Sequence, residues 1–505
     1  MNKHSILYKY KIIQDLIDLT TTKNSHILDS NFDDVYNKHL IQKIMQLGES
    51  EFLNDKNFNT LIIENKVRTK NFKISKDKGF ESISIVLFIK SLIMFLMLWL
   101  LLFFYYFFAL INFNQCKTLP RSKIIIFGVE HLNFNNNEIK NNFIKFIKKH
   151  ISISSDDDVL VSSNIHKISI VKNFIFRKYP HNIILNSGLK FKDFLKIQCL
   201  HLRYLLIFLL SIFRDSRGSI LGKDFAMMSL FDFSNSKKMI KSIIFTNTNM
   251  NYQPLWSSNY IDKKFSTSMF WYSENASPVV RAVKKNKQYF NQYHPHISLL
   301  SVDNHFVWTK FFANTLKKFT SATNLYVIGP ILWKIIQKNT KPFTVEKNIL
   351  IFDVTALTDE WKKMSGYSDV FYSYKNMKLF ISDIIECKNS IKSLSDYKLI
   401  LKPKRKALPQ NDSKYINYLK ILESESKIMI IDSTRDIDLA IKNSSFIICA
   451  PFSSPLILAN YLNKNSIYYD PTDSIIPYEG QGNFLIKGKK SLYKKLLKIN
   501  KRDIS

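Results

Sequence analysis

From Lys347 onward, short apolar runs alternate with amphipathic stretches in one rhythm: NILIFDV, a long amphipathic stretch, KLILKP, a helix around YINYLKIL, KIMIID, the helix DIDLAIKN, SFIIC, PLILANYL and NSIYYD. Five apolar strands separated by helices allow little besides a parallel sheet with right-handed crossovers, because neighbouring parallel strands need a long return between them. The pattern therefore predicts a doubly wound α/β domain over 331–505. Ahead of it, KIIIFG, DVLVSS and KSIIFTN alternate with helical stretches such as NEIKNNFIKFIKKH, which predicts another α/β domain over 117–330. VIGPILW, Val327 to Trp333, puts Gly329 and Pro330 at the end of an apolar strand and reads as the hinge between the two. Residues 1–80 are polar, with short helical patterns such as LIQKIMQL, and read as an accessory region.

Residues 84–112 differ from all of this. Ser91 to Ile111 (SLIMFLMLWLLLFFYYFFALI) is 21 residues without a charge. As a helix it spans about 32 Å, which matches a bilayer core of about 30 Å and marks a membrane segment. It starts too far from Met1 for a signal peptide. Four lysines before it and Lys117, Arg121 and Lys123 after it leave its orientation open, and one span or a shallow insertion beneath a globular domain both fit. A second apolar patch, Tyr204 to Phe213, is too short to span and reads as a core or interfacial helix. The formal net charge of +32 favours anionic partners. Its basic residues are spread along the whole chain, and with a membrane segment beside them nucleic acid is not an expected partner. Cys116, Cys199, Cys387 and Cys449 have neither metal-ligand spacing nor a paired framework, and read as free thiols of a reducing compartment.

In an open parallel sheet ligands bind outside the carboxyl ends of the strands. KLILKP, which contains Lys402, is followed by Lys404, Arg405 and Lys406; KIMIID by Ser433, Thr434 and Arg435; and SFIIC by the turn Pro451, Phe452, Ser453, Ser454, ahead of a helix that opens with Pro455. Cations, hydroxyls and a helix N-terminus on one edge suit a nucleotide diphosphate, although Ser453 or Ser454 also reads as a simple helix cap. There is no Walker A sequence and no Gly-x-Gly-x-x-Gly loop, which argues against ATPase and dinucleotide-dehydrogenase readings. In the first domain His131 (FGVEHLNF) and Glu274 (MFWYSENASP) each follow a strand, and either could act as a general base. Asp303 and His305 compete with them, with Asp303 reading as an N-cap.

The stretch DIDLAIKNSSFIICAPFSSPLILANYLNKNSIYYDPT resembles the carboxyl half of the PFTS-motif family of bacterial surface-polysaccharide biosynthesis proteins, with Ser453 where the motif's name has threonine. The resemblance extends over WYSENASP, DNHFVWTKFF, VIGPILW and LILKPKRK, roughly Lys123 to Asp473. More distantly, Asp436 to Ser454 is similar to the carboxyl domain of two-domain GT-B glycosyltransferases. The resemblance implies two Rossmann-like domains facing a cleft, with a nucleotide-sugar donor as co-substrate on the second. It further implies a lipid-linked or glycan acceptor at the first, no metal or other cofactor, and a place at the bacterial inner membrane with the catalytic portion cytoplasmic. A nucleotide-sugar epimerase and a non-catalytic assembly factor are the alternatives.

Overall fold

A computed structural model describes residue 39, residues 89, 92–93, 95–97, 99–101, 103–104 and 107, and most of 123–498; within 123–498 the residues outside the description are 130–131, 133, 156, 163–168, 178–189, 215–220, 247–252, 258–264, 272, 275–278, 284–287, 293–299, 321–323, 331–345, 359–370, 404–410, 434–436 and 478–483. The accessory region expected over 1–80 thus lies, residue 39 apart, outside the described residues.

The first sheet has eight strands: β1 (Lys123–Phe127), β2 (Asp158–Ser162), β3 (Ser169–Val171), β4 (Phe174–Arg177), β5 (Ile240–Thr246), β6 (Ser266–Phe270), β9 (Asn304–Val307) and β10 (Asn324–Val327), in the order β10-β9-β6-β5-β1-β2-β4-β3. All pair in parallel except β3, which runs antiparallel to β4. β7 (Val279–Val283) and β8 (Gln288–Gln292) form a separate antiparallel hairpin. The second sheet has six strands, all parallel: β11 (Glu346–Phe352), β12 (Lys398–Lys402), β13 (Met429–Ile430), β14 (Ser444–Cys449), β15 (Ser466–Asp470) and β17 (Leu485–Lys487), in the order β13-β12-β11-β14-β15-β17. The five strands expected here are present, and the short β17 adds a sixth. β16 (Ile475–Ile476) leaves this half to pair antiparallel with β7.

Numbered along the chain, the second sheet reads 3-2-1-4-5-6, and the first, with β3 set aside, reads 3-2-1-4-5-6-7. In this order the connections run off in opposite directions on either side of strand 1, leaving a crevice at the carboxyl ends of strands 1 and 4. Those strands are β11 and β14 in the second sheet, and β1 and β5 in the first.

Strand alternation sorts the first sheet's side chains onto two faces. Ile125, Leu160 and Ile243 point into one core, against α2 (Phe191–Arg214), α3 (Gly222–Ser236) and α4 (Lys310–Phe319), through Ile197, Phe231 and Phe312. Ile124, Ile126, Val159 and Val161 point the other way, onto α1 (Asn137–His150) through Phe143, Phe146 and Ile147. The Asn136 side chain caps α1 by accepting from the Glu138 and Ile139 amides. In the second half α5 (Tyr374–Asn389), α6 (Ser413–Ser424), α7 (Ile437–Lys442), α8 (Ser454–Tyr461) and α9 (Lys489–Leu496) share one continuous core with the sheet, and Val279 of the β7–β8 hairpin is buried in it.

Three local readings change. The apolar patch from Tyr204 is the second half of the 24-residue α2, which is long and apolar enough over Phe191–Ser211 to cross a membrane by length and composition; Lys192, Asp193, Lys196 and Arg203 break up its apolar run in the sequence. Asp303 does not cap a helix. It precedes β9, at the amino edge of the sheet, where its carboxylate accepts from the amide and hydroxyl of Thr267 at 2.7 and 3.0 Å. The helix cap is Thr309, six residues on, which accepts from the Phe312 amide. The stretch after Glu274, whose segment ASPVVRAVKK could equally pass for the start of a helix, holds strand β7.

Candidate functional site

The turn after β14 sits at the switch point of the second sheet, tied to the neighbouring strand by the Ala450 amide donating to the Phe352 carbonyl at 2.8 Å. Phe452 has φ 59°, a left-handed conformation that costs a non-glycine residue about 1–3 kcal/mol unless the surroundings enforce it. Two tyrosines, the half-buried Tyr372 and the buried Tyr468, enforce it. The Tyr372 hydroxyl donates to the Pro451 carbonyl at 2.6 Å and the Tyr468 hydroxyl to the Ser453 carbonyl at 2.8 Å, while the Phe452 ring packs edge-on against Tyr468. Burial holds both phenols protonated by pushing their pKa up, so both act as donors. We expect Tyr468→Phe to lower stability by about 1 kcal/mol, the worth of one such bond, as read by urea denaturation. An unchanged unfolding midpoint would show that the clamp does not hold the turn.

The two serines have different tasks. Ser453 occupies the N-cap position of α8 but does not cap it; its buried hydroxyl donates back to the Ala450 carbonyl at 2.7 Å. The first turn of α8, where Pro455 already lacks an N–H, therefore has no side-chain cap from this residue. Ser454 is half-buried, and its Oγ accepts from the Glu274 amide at 3.2 Å. The turn of one sheet thus meets the loop after β6 of the other, across 180 residues of sequence.

Glu274 is 1% exposed. Its carboxylate accepts from the Thr309 amide at 2.6 Å and the Thr309 hydroxyl at 2.7 Å, so one threonine both starts α4 and holds the acid. Burial pushes its pKa up to about 7, against the opposing pull of the Thr309 side chain and the Thr309 and Trp308 backbone. Beside it the buried Ser273 hydroxyl has no hydrogen-bond partner among the described residues. His305, fully buried in β9, accepts from Trp271 Nε1 at 3.0 Å, and burial lowers its pKa to about 4. It belongs to the core, which leaves Glu274 ahead of it as a candidate base. His131 lies outside the described residues.

The basic strand ends are seen in part. Lys402 is buried and donates to the Ser433 carbonyl at 2.7 Å, fastening the end of β12 to the loop after β13. Lys404, Arg405, Thr434 and Arg435 lie outside the described residues. Directly after β11, the buried Asp353 accepts from Tyr415 at 2.7 Å. Among the described residues no three His, Cys, Asp or Glu side chains are gathered as a metal site. Sequence reading had missed Thr309, Tyr372, Tyr468 and Asp353. Only Thr309 carried a signal, as a threonine directly before a helical run.

Residues 207–496, more than half of the chain, match the family described as "Polysaccharide biosynthesis PFTS motif protein". The chain belongs to that family. The Pro451–Ser454 turn, the element that meets Glu274, is the stretch that resembles the motif of the family's name, with Ser453 in place of its threonine. No curated protein matches the chain. Among solved structures, this PFTS-motif protein is similar to the UDP-GlcNAc 2-epimerase from Methanocaldococcus jannaschii, with 14% identity over 74% of this chain and 91% of that one and a TM-score of 0.37. A co-structure of S. aureus MnaA with UDP matches at 13% identity over 75% and 87%, with a TM-score of 0.38. An α,α-trehalose 6-phosphate synthase from Burkholderia multivorans matches at 10% identity over 76% and 89%, with a TM-score of 0.37.

Proposed function

We propose that this PFTS-motif protein transfers a sugar from a nucleotide-linked donor to a lipid-linked or glycan acceptor during assembly of a bacterial surface polysaccharide, in a GT-B-like cleft. The observation that carries the reading is the Glu274–Ser454 contact. Two sheets of the same strand order meet there through loops at their carboxyl ends, the edge on which each sheet would bind a ligand. In this reading the donor lies on the second sheet, its diphosphate at the first turn of α8 beside the Pro451, Phe452, Ser453 and Ser454 turn. Lys404, Arg405, Ser433, Thr434 and Arg435 add cations and hydroxyls, and Lys402 fixes the loop that presents them. As the bond between sugar and diphosphate breaks, helix dipole and cations stabilise the leaving nucleoside diphosphate with no metal required. Glu274, or His131 after β1, takes the proton of the acceptor hydroxyl that forms the new bond. The protein would work at the inner membrane with this portion in the cytoplasm, where thiols stay reduced.

The test is titration calorimetry of the purified protein with a panel of nucleotide sugars, followed by assay of nucleoside diphosphate release with membrane extract as acceptor. We expect one donor to bind and its release to depend on acceptor. An altered sugar formed without any acceptor would convert the reading to an epimerase. Binding of no nucleotide sugar at all would leave the assembly factor.

A further inference from the structure

The described residues of the apolar segment 89–107, which is uncharged from Ser91 on, are helical and lie along α2. Phe95 is fully buried and stacks on Phe208 at 5.6 Å, Phe103 meets Phe194 edge-on, and Trp99 Nε1 donates to Gln198 at 3.0 Å. Leu92 and Leu96 pack into the same cluster, which reaches Phe225 and Met228 of α3. One face of the segment is therefore part of the protein core. The opposite face is equally apolar and uncovered: Ile93, Met97, Leu100, Leu101 and Phe104 are each about half or more exposed. α2 continues this surface with Leu195, Leu202, Leu206 and Leu210, again spaced by one or two helical turns. Along one flank of that stripe run the exposed cations Lys192, Lys196 and Arg203.

We propose that residues 89–107 and α2 form a two-helix platform that lies in the interface of an anionic lipid leaflet without crossing it. A helix apolar on every side is stable only when every side meets an apolar medium, and here protein supplies only one of them. Crossing the bilayer alone would strip Phe95, Trp99 and Phe103 from their partners and expose the cluster beneath them. A second copy of the chain is a poor occupant, because pairing this face would bring together two rows of cations on chains of net charge +32 each. An anionic leaflet suits both features: acyl chains for the leucine stripe, headgroups for Lys192, Lys196 and Arg203, whose long side chains reach the polar layer. The inference stands apart from sugar transfer, since it rests on none of the strand-end residues.

The experiment is flotation of the full-length protein with phosphatidylcholine vesicles, with and without phosphatidylglycerol. Wild type should float with both and more tightly with phosphatidylglycerol. The variant Leu202→Gln/Leu206→Gln/Leu210→Gln, altered only at exposed positions, should bind about tenfold or more weakly at an unchanged melting temperature. A variant that floats like wild type shows that α2 does not touch the bilayer and overturns the platform. A wild type that binds no vesicles and dissociates from dimer to monomer on the same substitutions overturns it in favour of a contact between copies. Topology is read in proteoliposomes by an impermeant thiol reagent at Cys116 and at an added Ser84→Cys, on the two sides of the segment. Labelling from the same side supports the platform, and labelling from opposite sides means a span and sinks it.

Discussion

We expect Glu274→Gln to lower sugar transfer by about a hundredfold to ten-thousandfold, the range for losing a positioned general base, with little change in donor affinity. The expectation rests on the placement of Glu274 at the contact between the two sheets and on burial, which raises its pKa to about 7. A base must be ionised to accept a proton, so wild-type transfer should rise with pH through about 7 and the glutamine variant should lack that limb. Stability should run the opposite way. Between the ordinary carboxylate range and about 7 the folded chain keeps this proton and the unfolded chain has released it, so stability falls as pH rises across that window. The full effect is about 3 kcal/mol from this one group, and Glu274→Gln, which resembles the neutral acid, should flatten it. Full activity in the variant would move the role of base to His131. A wild-type stability with no such slope would show that the carboxyl titrates normally.

The second large effect is expected at the motif. Replacing Ser453 and Ser454 together with alanine should weaken donor binding by about 1–3 kcal/mol, the range for hydrogen bonds to a charged group. The single variants should separate. Ser454→Ala removes the hydroxyl at the junction with Glu274 and should carry the binding loss; Ser453→Ala leaves the Ala450 carbonyl only the longer bond from the Ser453 amide at 3.3 Å and should carry the stability loss. Arg405→Ala should act in the direction of Ser454→Ala and be less than additive with it, as neighbours sharing one ligand couple. Calorimetry and thermal melts on the same preparations check this. A double variant that melts many degrees lower yet binds donor at wild-type strength would make both serines structural.

The parallel sheet of the second half was readable because its strands are apolar runs at regular spacing, and so was the position of the serine turn at a strand end. β17 escaped because three residues carry no periodicity, and α2 because charges at one flank interrupt an otherwise apolar run. Asp303 misled because an acid before a mixed apolar stretch looks alike ahead of a helix or a strand; the true cap, Thr309, stood six residues later. The partnerships that make the site, Tyr372 with Pro451, Glu274 with Thr309 and Glu274 with Ser454, join residues 79, 35 and 180 positions apart. Local pattern carries no trace of such pairs, since each partner alone is an ordinary residue of a loop or a helix start.

The small sheet β16-β7-β8 limits how the protein can move. It stitches a hairpin from the first half to a two-residue strand from the second, with the Ala282 amide donating to the Ser474 carbonyl and Val279 sunk in the second core. Pulling the halves straight apart would break that ladder and open a void where Val279 sat. A swing that keeps β16 on β7 has to part the amide–hydroxyl link between Glu274 and Ser454 and lift Ile457 of α8 from the core of the first half. The molecule is built like a book, with the antiparallel strip as its spine and the motif serine as its clasp, so a donor would enter by turning a page.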